Sequence, residues 1–152
     1  MKITYLKNDI RFVPEVSKYM FEEWGDIYSA KSFMDIVCMR LNIENIPLTI
    51  IASENNNLLG FASLVKSDFQ INTPLTPWIS GVFVLPKYRK LGIGKALVKE
   101  LENISAYLGY SKLYLFTDKK RFYHKLSWCK VKDEKYLGKD ITIMEKLISS
   151  CY

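Results

Sequence analysis

The chain has 152 residues, of which 49% are hydrophobic and 25% charged. That size and balance predict one globular domain over residues 1–152, long enough to bury a core and too apolar to be disordered. Apolar runs such as Leu58–Val65, broken by Gly60 and Ser63, fall far short of a bilayer span, so no membrane association is expected. Met1–Tyr5 lacks the long apolar stretch of a secretory signal. Cys38, Cys129 and Cys151 are widely spaced, with no Cys-x-x-Cys pair. Metal and dithiol redox sites are therefore not expected, and free thiols suit the cytoplasm.

Lys and Arg number 22 against 16 acids, a net charge of +6, which favours an anionic partner. Its distribution matters more. Lys119, Lys120, Arg121 and Lys125 read as a solvated face, whereas Lys87, Arg89, Lys90 and Lys95 surround Gly92 and Gly94.

In chain order, Ile3–Leu6 is a plausible first strand. Pro14 suits a first helical turn, with Val16, Tyr19, Met20 and Trp24 near helical spacing and Gly25 at the end. A second helix is predicted from about Ser32 to Asn42, before Pro47. Leu48–Ala52 and Leu58–Val65 read as a hairpin across Glu54–Asn57. After a polar loop, Trp78–Val84 is a strand whose Gly81 marks a bulge or close approach. Leu97, Leu101, Ile104 and Leu108 recur at helical spacing, capped by Gly109. Lys112–Phe116 is a short strand, Asp118–Leu126 a short helix capped by Asp118 or Thr117, and Trp128–Lys132 with Ile141–Lys146 a final strand pair. The order β-α-α-β-β-β-α-β-α-β-β predicts an α/β layered domain with a mixed sheet covered by helices.

The segment Val82–Leu97 places strand, basic glycine turn and helix start in succession. Unpaired N–H groups and the helix dipole make that an anion site, and glycines let the backbone approach the ligand. A Walker loop needs Ser or Thr after Gly94-Lys95, but Ala96 stands there, and Arg89 holds the early glycine position. A dinucleotide fingerprint needs a third glycine where Leu97 stands.

Arg89-x-x-Gly92-x-Gly94 after a Val-x-Val-x-Pro strand end resembles the acetyl-CoA signature of the GNAT superfamily of N-acetyltransferases. Leu113–Thr117 and Phe122-Tyr123-His124-Lys125-Leu126-Ser127-Trp128 are similar to that family's later strand and its Phe-Tyr-x-x-Leu-Gly-Phe helix end. The likeness covers about Leu48 to Trp128, with the ends of the chain fitting in outline. It implies a mixed, mostly antiparallel sheet with splayed central strands flanked by helices, and acetyl-CoA as cosubstrate. Backbone groups of Val82, Phe83 and Val84 would meet its pantetheine arm. The N–H groups of Arg89, Lys90, Leu91, Gly92, Ile93 and Gly94, with Lys95, would hold its pyrophosphate. Tyr123 matches the family's tyrosine near the coenzyme sulfur. Ser127 departs from the usual glycine, and Thr117-Asp118 from the asparagine that often follows the fifth strand.

Acetyl transfer to an amine needs a neutral amine, a stabilised carbonyl oxygen and a proton for the leaving thiolate. Tyr123 is the expected general acid, and an N–H freed at Val82 or Phe83 would serve the oxygen. Candidate bases are Glu22, Glu23 and Asp68, with Asp68 preferred because its loop should border the acceptor side. A water chain without a single base is equally open. His124 is read as a surface residue and Cys129 as a buried strand cysteine. Phe69 and Trp78 are expected to wall the acceptor site with Tyr28, and Trp24 to belong to the core. The expected function is transfer of an acetyl group from acetyl-CoA to a primary amine of a small molecule or peptide. The alternatives are an inactive coenzyme-binding module, or a basic nucleic-acid module that lacks any recognisable binding motif. The acceptor and the base stay open, and a homodimer is the assembly considered.

Overall fold

The computed structural model describes residues 1–25, 32–67 and 73–148. Its elements are β1 (Lys2–Tyr5), α1 (Val13–Trp24), α2 (Phe33–Met39), β2 (Leu48–Glu54), β3 (Asn57–Val65), β4 (Trp78–Val84), α3 (Ile93–Tyr107), β5 (Lys112–Thr117), α4 (Lys120–His124), β6 (Cys129–Tyr136) and β7 (Lys139–Leu147). The strands form a seven-stranded sheet in the order β1-β2-β3-β4-β5-β7-β6. Every neighbouring pair is antiparallel except β4 and β5, which are parallel. This is the layered α/β domain with a mixed sheet expected from the element order, mostly antiparallel as the family resemblance implies.

Both faces of the sheet are covered, and the strand pattern shows why. Along β2, Ile50 and Ala52 pack with Leu97, Leu101 and Ile104 of α3. Ile51, between them, points to the opposite face, where Val13, Val16 and Met20 of α1 and Val37 of α2 meet it. α3 ends as its sequence predicts. Gly109 takes φ +93°, and the N–H groups of Gly109 and Tyr110 bond to the carbonyls of Ala106 and Ser105.

The centre of the sheet is parted. β5 pairs with β7 along its full length, from Lys112 opposite Leu147 to Thr117 opposite Thr142. β4 pairs with β3 from Trp78 opposite Val65 to Val84 opposite Gly60. Between β4 and β5 the register holds a single pair, Trp78 opposite Tyr114. The Tyr114 N–H donates to the Pro77 carbonyl at 3.1 Å, and the Trp78 and Tyr114 rings lie 5.8 Å apart. Beyond that anchor the strands diverge.

Gly81 supplies the bulge its sequence position suggests. Phe61 and Ser63 of β3 face Phe83 and Ser80, so Ala62 alone spans Gly81 and Val82. Gly81 sits at φ +65°, in the left-handed region that favours glycine.

Several boundaries differ from expectation. α2 covers Phe33–Met39 rather than Ser32–Asn42. α4 begins at Lys120, two residues after Asp118, because the Thr117 hydroxyl accepts the Lys119 N–H at 2.8 Å and holds a turn there. The last hairpin is longer than the apolar pattern indicated, turning at Leu137-Gly138, both at positive φ. β6 is an edge strand exposed along almost its whole length, so it carries charge instead of an alternating apolar face. For the same reason Cys129 is exposed and not the buried strand cysteine expected.

Gly60 is a packing constraint on the parted sheet. A Cβ at this position would come within 2.6 Å of the Phe83 carbonyl oxygen on β4. Gly60→Ala should lower stability by about 1–3 kcal/mol, the range for overpacking. Thermal or urea unfolding checks it; an unchanged midpoint would mean that β3 and β4 separate freely.

Candidate active site

The gap between β4 and β5 opens into a cleft of about 1070 Å³. Ile79–Val84 forms one wall and Leu115–Asp118 the other. With β5 gone from its side, β4 presents backbone N–H and C=O groups to the cleft instead of to a strand.

At one end of the cleft lies the glycine turn. The Arg89 N–H is consumed within the turn, donating to the Pro86 carbonyl at 3.3 Å. Its side chain is also turned inward: Nε donates to the Val84 carbonyl at 2.8 Å, with the guanidinium 5.4 Å from the Phe83 ring centre. Arg89 therefore braces the turn. Lys90 at φ +65° and Gly92 at φ +82° redirect the backbone into α3, whose first intrahelical bond runs from the Ala96 N–H to the Gly92 carbonyl. Ile93, Gly94 and Lys95 thus open the helix with N–H groups that no helical carbonyl can reach. Lys90 and Lys95, both exposed, flank them, so the end of the cleft suits an anion through dipole and charge together.

The expected coenzyme residues all line the cleft except Leu91, which is 69% exposed. Tyr123 lines it too. Its ring is packed edge-on against Phe122 at 4.9 Å and Trp128 at 6.0 Å. Burial pushes the Tyr123 hydroxyl up to about 12, because the phenolate would lose its solvation. The group is therefore protonated at any working pH. Next to it, His124 is exposed, as expected for a surface residue.

The acceptor-side expectations fare differently. Asp68, Phe69 and Tyr28 lie outside the described residues. Trp78 does not wall the cleft. It is fully buried among Val65, Tyr114, Ile141 and Ile143, and its Nε1 donates to the Leu75 carbonyl at 2.6 Å. Trp78 anchors the point from which the strands diverge. Trp24, expected in the core, packs edge-on against the buried Phe83 ring and also lines the cleft, with ring atoms within 3.8 Å of where a Gly81 Cβ would stand. Of the two acids near the end of α1, Glu23 lines the cleft, while Glu22 lies 4.0 Å from Lys18 on the outer face. Tyr136, Leu137 and Lys139 of the β6–β7 hairpin close the far wall. No local motif marks them, since only the fold of the last hairpin brings them there.

A sheet parted at its centre, with a glycine-opened helix at the mouth of the gap, defines a protein built to take a long ligand with an anionic portion. The sequence model of the Acetyltransferase (GNAT) family matches residues 11–128, and the chain belongs to that family. It is an acetyltransferase by descent and carries the family's fold. Solved structures agree on the fold. An aminoglycoside 6'-N-acetyltransferase complexed with coenzyme A is similar at TM-score 0.78 and 21% identity, over 98% of each chain. The aminoglycoside 6'-N-acetyltransferase from Enterococcus faecium is similar at TM-score 0.75 and 21% identity, again over 98% of each. A GNAT-family acetyltransferase from Streptococcus pneumoniae gives TM-score 0.72 at 15% identity, covering 97% of this chain and 100% of that one. No curated protein sequence matches the chain.

The raised Tyr123 hydroxyl has a consequence for stability. Below the unfolded value of 10.0 both states hold the proton and the group contributes no slope. Between 10.0 and about 12 the unfolded chain releases it first, so stability falls as pH rises. Tyr123→Phe should remove up to about 1.4 kcal/mol per pH unit of that slope. Urea unfolding at pH 9 and 11 checks this, and identical slopes in both proteins would show the hydroxyl to be solvated.

Proposed function

We propose that the chain is an N-acetyltransferase that moves an acetyl group from acetyl-CoA directly to a primary amine of a small molecule or peptide. The observation that carries this reading is the cleft between β4 and β5, with free helix N–H groups at one end and Tyr123 in its wall. The fit to the coenzyme rests on this chain's own groups. The edge of β4 at Val82–Val84, apart from the Val84 carbonyl that Arg89 holds, matches a ligand with amide groups in its arm. The N–H groups of Ile93, Gly94 and Lys95, with Lys90 and Lys95, match a pyrophosphate. Arg89 acts by bracing the turn.

When bound, the coenzyme supplies a thioester whose acyl carbon a neutral amine can attack. Phe83 stays paired with Phe61, whereas the bulge at Gly81 leaves Val82 without a register partner on β3, and the Val82 N–H steadies the carbonyl oxygen as negative charge gathers on it. Tyr123 donates its phenolic proton to the departing sulfur. Glu23, an acid lining the cleft, draws the acceptor's ammonium in beside Trp24. Asp68, ten residues ahead of Trp78 in the sequence, is the proposed base that accepts the amine's proton. Direct transfer is supported by the cysteines among the described residues: Cys38 and Cys129 are exposed on α2 and β6, and neither lines the cleft.

Thermal unfolding with acetyl-CoA is the first test. At about 100 times its Kd the coenzyme should stabilise the fold by roughly 2.7 kcal/mol, and the shift should survive moderate salt. A panel of amines followed by thiol release then identifies the acceptor. No shift at millimolar coenzyme would end the proposal. Tyr123→Phe should lower kcat by roughly 100-fold with coenzyme affinity unchanged, in the range general acids contribute. Glu23→Gln should raise KM for a cationic acceptor by about tenfold while kcat holds. Equal losses for charged and uncharged amines would remove Glu23 from the acceptor site.

A further inference from the structure

Tyr123 sits on a helix that cannot hold it alone. α4 has only five residues, Lys120–His124, too short to be stable by itself. Its end is closed by two backbone bonds. The Trp128 N–H donates to the Tyr123 carbonyl and the Ser127 N–H to the His124 carbonyl, each at 3.0 Å. That pairing turns the chain through a left-handed residue, normally glycine. Here Ser127 occupies it at φ +68°, an unfavourable backbone for any residue with a Cβ.

A half-buried ion pair holds this turn from outside. Lys146 Nζ on β7 lies 3.0 Å from each carboxylate oxygen of Glu102 on α3 and 2.7 Å from the Leu126 carbonyl, so each ammonium proton has an acceptor. The two side chains are 14% and 10% exposed. Glu102 Oε1 also accepts the Trp128 Nε1–H at 3.1 Å. Trp128 is 1% exposed, and its ring stands edge-on to Tyr123. The pair thus grips both routes to the tyrosine: the carbonyl just before the turn and the ring beside it. Neither Glu102 nor Lys146 lines the cleft.

Stability alone does not account for such a pair, since apolar residues of similar volume often replace a buried ion pair without loss. What it adds is direction: a cation aimed at one carbonyl and an acceptor aimed at one indole. We propose that Glu102 and Lys146 are positioning residues for acetyl transfer, fixing the end of α4 and the Trp128 ring so that Tyr123 stays in place in the cleft wall. This rests on the reading of Tyr123 as the proton donor.

The test uses Glu102→Gln, Lys146→Met and the double variant Glu102→Leu/Lys146→Met, in the full chain. Each should lower kcat by at least about tenfold, as small misplacements of reacting groups do, with acetyl-CoA Kd unchanged. The alkaline fall of kcat should begin at lower pH than in the wild type, because a loosened Tyr123 gains water and ionises more easily. Ser127→Gly added to Glu102→Gln should recover part of kcat by relieving the turn. A folded double variant with wild-type kcat and pH profile overturns the proposal. So does a parallel loss of kcat and coenzyme affinity, which would be general loosening. Failure of the double variant to fold also overturns it, because the pair would then be structural. If Tyr123→Phe itself leaves kcat unchanged, the assignment of Tyr123 fails and takes this inference with it. If Tyr123→Phe is impaired while the pair variants are normal, only the positioning role fails.

Discussion

Two neighbouring strands that share one pair of residues set the terms for everything else in this molecule. β5 is committed to β7 over its whole length and β4 to β3, so each follows the twist of its own partner. The parallel contact survives only at Trp78 and Tyr114, where a buried tryptophan, a tyrosine ring and one backbone bond hold the base of the gap. An unpaired strand edge inside a sheet would be costly if dry, because each orphaned peptide group loses its solvation. Here the edge opens to solvent, so water satisfies it at rest, and a ligand with its own amide groups can take over the same bonds. The cleft is a sheet position left vacant for a guest.

The lining of that vacancy is not chemically uniform, which gives the guest a direction. At the α3 end the positive potential comes from fixed backbone dipoles reinforced by Lys90 and Lys95. Alongside Gly81 and Phe83 of β4 stands the Trp24 ring, with Glu23 also lining the cleft. The basic cluster in the sequence therefore does two jobs. Lys90 and Lys95 stay exposed at the mouth of the cleft, whereas Arg89 is spent on the protein itself. Its bond to the Val84 carbonyl ties the end of β4 to the turn that follows. A guanidinium suits that task because it can donate to a carbonyl and lie over the Phe83 ring together.

What was legible in the sequence follows from how local each signal is. The strand Trp78–Val84, the bulge at Gly81, the glycine turn and the apolar stripe of α3 are all written within a few residues. Glycine at a positive φ and leucines at helical spacing are local necessities. Trp78 was misplaced because flanking a polar loop says nothing about which face a side chain takes; its pairing with Tyr114 does. Cys129 and the extent of β6 were missed because an exposed edge strand carries no alternating apolar signal. Glu23, Trp24 and the Leu137 hairpin tip reach the cleft only through long-range closure of the sheet. No spacing rule relates residue 23 to residue 137.

Ser127 shows how such a departure is absorbed. A serine where glycine is usual points to an altered turn after the short helix, yet both hydrogen bonds of the turn are present and the backbone takes the left-handed conformation. The strain has not been removed; it is opposed. Lys146 places a cation on the Leu126 carbonyl, which at a helix end is a poorly satisfied acceptor carrying negative dipole charge. Lys146 in turn needs Glu102, because a buried ammonium without a counter-charge would be expelled. One residue's local preference is thus overruled by two others, 25 and 19 positions away in the chain. That compensation joins α3, whose first turn faces the anion end of the cleft, to the tyrosine in its wall, so both functional ends hang on the same rigid helix.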